Sequence, residues 1–248
     1  MLFRSINLLY RMNFADFSRA GELLRMAIAA DDGYALAYVY AALWQVHRIA
    51  QGWTYDFEAD AIEATRLATA AVKRDPADGF ALAVEGHVRA MLFREFDVAK
   101  EIFERAVSAA PGNAMAWALS SGVYSYTGDG RAALERAQRG LRLSPVDTQA
   151  YFYLSFLAMA HYVNNNYDEA IIWCRKGLGA NPRLCANLRG LAVSLAALDR
   201  VEEARQVGRI LLDVQPYFRL SNYARACPFN DDLRTTFLDR LRIAGLPE

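Results

Sequence analysis

Residues 114–147 read AMAWALSSGVYSYTGDGRAALERAQRGLRLSPVD. Trp117 and Tyr124 stand seven apart, about two helical turns, so they share one helix face. Gly128-Asp129-Gly130 then breaks the pattern with a turn signal. Beyond it, Ala133 and Gly140 set small residues on one strip of a second helical stretch. Pro145 ends that stretch, because proline has no amide hydrogen to donate and clashes with the preceding turn. The segment therefore predicts two antiparallel helices joined tightly.

Proline recurs with this phase along the chain, at Pro76, Pro111, Pro145, Pro182 and Pro216. Five residues before each proline stand Ala71, Ala106, Gly140, Gly177 and, as a larger substitute, Leu211; twelve before stand Ala64, Ala99, Ala133, Ala170 and Ala204. Ala20, Ala27 and Asp32 continue the pattern toward the N-terminus, with Asp32 in the proline place. Small residues at this spacing mark where a neighbouring helix comes close, and enlarging one costs roughly 1–3 kcal/mol through overpacking. A fixed period of this length is the mark of stacked supersecondary units, each burying its apolar face against its neighbours.

These residues resemble the tetratricopeptide repeat, a helix–turn–helix unit of about 34 residues. Ser120 and Ser121 depart from it, standing where that family usually has leucine and a small residue. The resemblance implies an all-α fold, a right-handed α-α superhelix of about six hairpins near 1–34, 35–78, 79–113, 114–147, 148–184 and 185–218. Residues 1–218 would form the solenoid and residues 219–248 a capping segment, with Leu233, Phe237, Leu238 and Leu241 as the apolar face of a terminal helix. A partner-binding tail is the other reading of that segment.

Composition agrees with a continuous core. Of 248 residues, 54% are hydrophobic and 23% charged, and Lys plus Arg equals Asp plus Glu at 28 each. That balance leaves no electrostatic footprint for nucleic acid. No apolar run is long enough to span a membrane, and the first residues lack the form of a signal peptide. Cys174, Cys185 and Cys227 form no CxxC pair, which suits a reducing cytoplasm and gives neither a disulfide framework nor a zinc site. A soluble cytoplasmic protein is expected.

No catalytic constellation emerges. His47, His87 and His161 fall in different units, with no metal-binding HExxH arrangement, phosphate loop or nucleophile elbow. No metal, cofactor or enzymatic activity is expected. Glu85 falls where the repeat family buries leucine, so it should find solvent or an arginine, Arg89 or Arg105, or else titrate upward. Arg136, Arg139 and Arg142 read as a solvated face.

Binding is the more informative question. In tetratricopeptide proteins the first helix of each unit turns one side toward a concave groove. Phase assigns to it Leu36, Val39, Ala83, His87, Met115, Ala118, Gly122, Tyr126, Gln149, Phe152, Phe156, Met159, Arg189 and Val193. Met115, Tyr126, Phe152, Phe156 and Met159 make its middle apolar, and methionine and aromatic rings suit an apolar helical segment. Two insertions interrupt the period, at 51–60 and at 164–166. Trp53, Tyr55 and Phe57 of the first either fold back as a minor core or project from the rim as a partner contact.

The ending from Phe237 to Glu248 and the segments Ala27–Asp31 and Tyr34–Tyr38 are similar to the tetratricopeptide region of bacterial adenylate/guanylate cyclase-like and winged-helix regulatory proteins. No cyclase or winged-helix segment occurs in these residues, so neither activity carries over. The resulting expectation is a non-catalytic scaffold or adaptor of a bacterial signalling system, binding a protein or peptide, or a second copy of the chain. The alternative is a small-ligand or peptide sensor.

Overall fold

A computed structural model describes residues 1–145 and 149–248, and among them every regular element is a helix. Six antiparallel pairs follow one another: α1 (Leu2–Leu9) with α2 (Phe14–Ala30), α3 (Ala35–Ala50) with α4 (Phe57–Arg74), and α5 (Gly79–Phe93) with α6 (Phe96–Ala109). Then come α7 (Ala114–Thr127) with α8 (Gly130–Leu143), α9 (Ala150–Val163) with α10 (Tyr167–Ala180), and α11 (Cys185–Ala197) with α12 (Val201–Val214). Two helices close the chain, α13 (Leu220–Ala226) and α14 (Asp231–Ile243). The expected boundary between residues 147 and 148 lies outside the described residues. From α3 to α11 each odd-numbered helix packs on the odd-numbered and the even-numbered helix before it, which is the α-α superhelical arrangement, and α14 then packs on α11.

Local chemistry sets the ends. Each proline of the ladder stands two residues past the last helical residue, so α4, α6, α8, α10 and α12 stop where proline begins to exclude helix. After α4 and α6 the next helix is capped by a side chain, Asp78 accepting from the Phe80 amide and Asn113 from the Ala116 amide. Within every pair, one turn residue takes the left-handed conformation: Met12, Gly52, Arg94, Gly128, Asn165 and Asp199. Glycine does this at no steric cost at Gly52 and Gly128.

The small-residue strip is the contact line between helices. Ala64, Ala71, Ala99, Ala106, Ala133, Ala170 and Ala204 are fully buried. A Cβ added at Gly140 would lie 2.9 Å from the Ala114 carbonyl oxygen, backbone that has no room to yield. The two serines that depart from the repeat pattern are buried without penalty. Ser120 donates to the Trp117 carbonyl at 2.7 Å and Ser121 to the Ala118 carbonyl at 2.8 Å, each bonding one turn back.

Two expectations resolve. Glu85 is half-buried, keeps contact with solvent and accepts from Thr69 at 3.3 Å; among the described residues it pairs with no arginine, Arg89 pairing with Glu95 at 2.8 Å. Arg136 is not solvated. It lies 4.5 Å from the Tyr124 ring and 5.6 Å from that of Trp117, and pairs with Glu104, because the rings of α7 cover that edge of α8.

The superhelix coils tightly enough for distant units to meet. The Tyr151 hydroxyl donates to the Tyr10 carbonyl at 2.5 Å. The Gln51 side chain spans the gap between α3 and α11, donating to the Arg183 carbonyl at 3.0 Å and accepting from the Cys185 amide at 2.9 Å. The first two units therefore touch the fifth and sixth.

Candidate functional site

The inner faces of α3, α5, α7, α9 and α11 converge on a central cavity of about 120 Å3. Helical spacing builds each wall. His47 of α3 follows Leu43 by one turn, His87 of α5 precedes Met91 by one turn, and α9 presents Phe152, Ser155, Phe156 and Met159 in two turns. Met115 and Tyr126 come from opposite ends of α7. Met115, Tyr126, Phe152, Phe156 and Met159, the apolar middle of the expected groove, thus line one space.

That space is roofed. Tyr10 and Met12 reach it from the α1–α2 junction, and Tyr223, Phe229 and Phe237 from the C-terminal segment. Phe229 meets Tyr126 edge-on at 5.8 Å, and Phe237 meets Tyr162 at 5.6 Å. The Asn230 amide donates to the Tyr126 carbonyl at 2.9 Å, and its side chain caps α14. Arg240 donates to the hydroxyls of Tyr162 and Tyr167 at 2.7 and 3.0 Å. Phe152 stacks on His47 at 4.7 Å and meets Tyr10 at 5.6 Å. As a result Tyr126 and Phe152 are only 7% and 8% exposed.

Electrostatically the cavity is quiet except at one point. Burial holds the His87 imidazole down to about 4, and burial with the nearby His87 holds His47 down to about 3, so both rings are neutral at pH 7. The buried Nδ1 of His87 has no hydrogen-bond partner. Arg189 of α11 is buried, donates to the Ala50 carbonyl at 2.8 Å and lies 4.7 Å from the Tyr223 ring. It has no carboxylate partner among the described residues. Burial pushes the Cys174 thiol up to about 12 and raises Cys185 and Cys227, so none of the three is a ready nucleophile. Among the described residues no His/Cys/Asp/Glu group is placed to hold a metal, and no helix is long and apolar enough to cross a membrane.

The 51–60 insertion divides its aromatics. Trp53 packs inward on Phe17 at 4.6 Å and Phe14 at 5.8 Å. Tyr55 stands 92% exposed beside a 270 Å3 recess, where Phe57 and the 90% exposed Tyr217 also lie. Arg189 and Tyr223 line both this recess and the central cavity.

Of the residues that phase assigns to the groove, Leu36, Val39, Ala83, Ala118, Gln149 and Val193 stay outside the cavity lining, and Val39, Ala83, Ala118 and Val193 are fully buried although they share the helical spacing of lining residues. Phase missed His47, although His47 continues the Val39–Leu43 spacing. Tyr10, Met12, Tyr223 and Phe229 carry no periodic signal, since they arrive from the chain's two ends.

No protein-family model matches the chain, and no curated protein matches it in sequence. Solved structures do. The APC/C hetero-tetramer Cut9–Hcn1 includes a chain aligned over 92% of this one and 40% of its own length, at 15% identity and a TM-score of 0.63. PilF of Pseudomonas aeruginosa aligns over 87% of this chain and 88% of its own, at 15% identity and a TM-score of 0.56. The type IV pilus biogenesis factor PilW aligns over 81% and 87%, at 16% identity and a TM-score of 0.56. At such identities the likeness concerns architecture, and the chain has the α-α superhelical fold of tetratricopeptide proteins.

Proposed function

We propose that this chain is a non-catalytic interaction scaffold, the regulatory or adaptor part of a bacterial signalling system, which meets a protein partner at its rim. The observation that carries the reading is the pair Tyr55 and Tyr217, large aromatic side chains left almost wholly in solvent beside one recess. Exposed tyrosines over a recess are the residue type that anchors protein interfaces. Arg219 lines the same recess and favours a partner segment bearing a carboxylate, while Arg225 pairs with Glu58 at 2.7 Å. The concave face suits a protein segment less well. A helix is about 10 Å across, and a segment entering there must displace Phe229 and Phe237, each buried with only 1% exposure.

Photo-crosslinking tests the placement. A benzoylphenylalanine introduced at Tyr55 or Tyr217 should capture one protein from the source cells, while the same group at Met159 captures none. Capture from Met159 alone would move the partner into the concave face and overturn the reading.

One observation favours a second reading, a small-ligand sensor. The central cavity joins the first, fifth and C-terminal segments through Tyr10, Phe152 and Phe229, so an occupant touches every part that holds the coil closed.

A further inference from the structure

We propose that the central cavity binds a small aromatic carboxylate, a molecule of the benzoate class, with its ring among the methionines and its carboxylate on Arg189. The inference rests on the sensor reading and specifies its ligand.

Size and lining select the ring. An apolar cavity of about 150 Å3 stays dry and takes benzene, and this one is about 120 Å3 with walls from Met91, Met115, Met159 and Phe156. Thioether and ring surfaces make favourable contacts with an aromatic guest.

Charge selects the carboxylate. A buried cation is ordinarily paired, yet among the described residues Arg189 forms no ion pair and has the Ala50 carbonyl and the Tyr223 ring as its partners. Its guanidinium retains donors that match a carboxylate in bidentate geometry. No other ionised group competes within the lining, since His47 and His87 are neutral. Arg189 also borders the recess lined by the exposed Arg219, whose charge favours anions on that side.

The methionines supply the assay. Met12, Met91, Met115 and Met159 line the cavity, whereas Met1 and Met26 are exposed elsewhere. The methyl resonances of the 13C-methionine-labelled full chain are followed at pH 7 during titration with benzoate, benzamide and benzene. Benzoate should move the four cavity methyls saturably and leave Met1 and Met26 in place. Benzamide should bind at least about tenfold more weakly, the difference between a charge-assisted and a neutral hydrogen bond. Arg189→Gln should bring benzoate down to the benzamide level with the cavity methyls of the free protein little changed. If Arg189→Gln does not fold, the wild-type comparison of benzoate with benzamide decides alone. Equal binding of all three probes overturns the carboxylate assignment and leaves the sensor reading standing. Movement by none of them overturns the proposal, and the sensor reading falls with it only if xenon, which requires no polar contact, also fails to shift the cavity methyls.

Discussion

Phe152→Ala separates a closed coil from an open groove. Phe152 is 8% exposed, and its ring touches His47, Tyr10 and Tyr151 at centroid distances of 4.7, 5.6 and 4.7 Å. Truncating a buried phenylalanine costs about 3–5 kcal/mol, rising with the void that remains. Here the void adds to an existing 120 Å3 cavity bounded by side chains anchored on five helices, so collapse is poor and about 4 kcal/mol is expected. With a urea m-value of about 2–3 kcal/mol/M, the denaturation midpoint should fall by about 1.5 M. Urea titrations followed by circular dichroism and tryptophan fluorescence give the number. The two probes also show whether the units still unfold together, since stacked repeats lose cooperativity at weakened junctions. Phe3→Ala, at a ring 79% exposed, is the control and should stay within about 0.5 kcal/mol. A midpoint shift below about 0.3 M for Phe152→Ala would show that the ring faces solvent, and the closed coil would be wrong.

Two further outcomes follow from single positions. Gly208→Ala places a Cβ 2.2 Å from the Ala244 carbonyl oxygen, so the end of α14 must shift; a loss of about 1–3 kcal/mol and faster amide exchange across 231–246 are expected. Gly179→Ala, also within a helix but with nothing nearby, should instead stabilise by about 0.5–1 kcal/mol. Acid should weaken the fold through the histidines. Their folded values lie below the ordinary 6.5, at about 4 for His87 and about 3 for His47, so the unfolded chain binds more protons once pH drops below 6.5. Stability is complete above that point and declines toward pH 4, with His87 alone accounting for about 2 kcal/mol at pH 5. His87→Leu should flatten that part of the urea-midpoint profile between pH 7.5 and 5; an unchanged slope would mean the ring is not held neutral.

Much of the local architecture was legible because it depends on neighbours in sequence. Proline ends α4, α6, α8, α10 and α12 through its own ring, Asn13, Asp78 and Asn113 cap helices with their own side chains, and Ala64 or Gly140 mark a close approach by lacking bulk. The apolar spacing of Leu233, Phe237, Leu238 and Leu241 likewise announced α14. The candidate site was half legible. Met115, Tyr126, Phe152, Phe156 and Met159 share one lining because helical phase places them there, but phase has no term for what covers them. Trp53 and Tyr55 show the limit most simply, since two aromatics in one insertion part ways, one onto Phe17 and one into solvent.

The sequence by itself determined where each helix starts and stops, that the helices pair, and which face of each is apolar, since these follow from contacts within a few residues or one repeat. Only the tertiary structure decided that the coil closes, with Tyr10 bonded to Tyr151, Gln51 to Arg183 and Cys185, and Phe229 set on Tyr126. Closure is the sum of small rotations between successive units. Each rotation depends on how side chains of neighbouring helices interlock, so no local pattern records whether the first unit will meet the fifth. The cavity exists only because they meet, and the buried charge of Arg189 becomes informative only once that cavity is seen beside it.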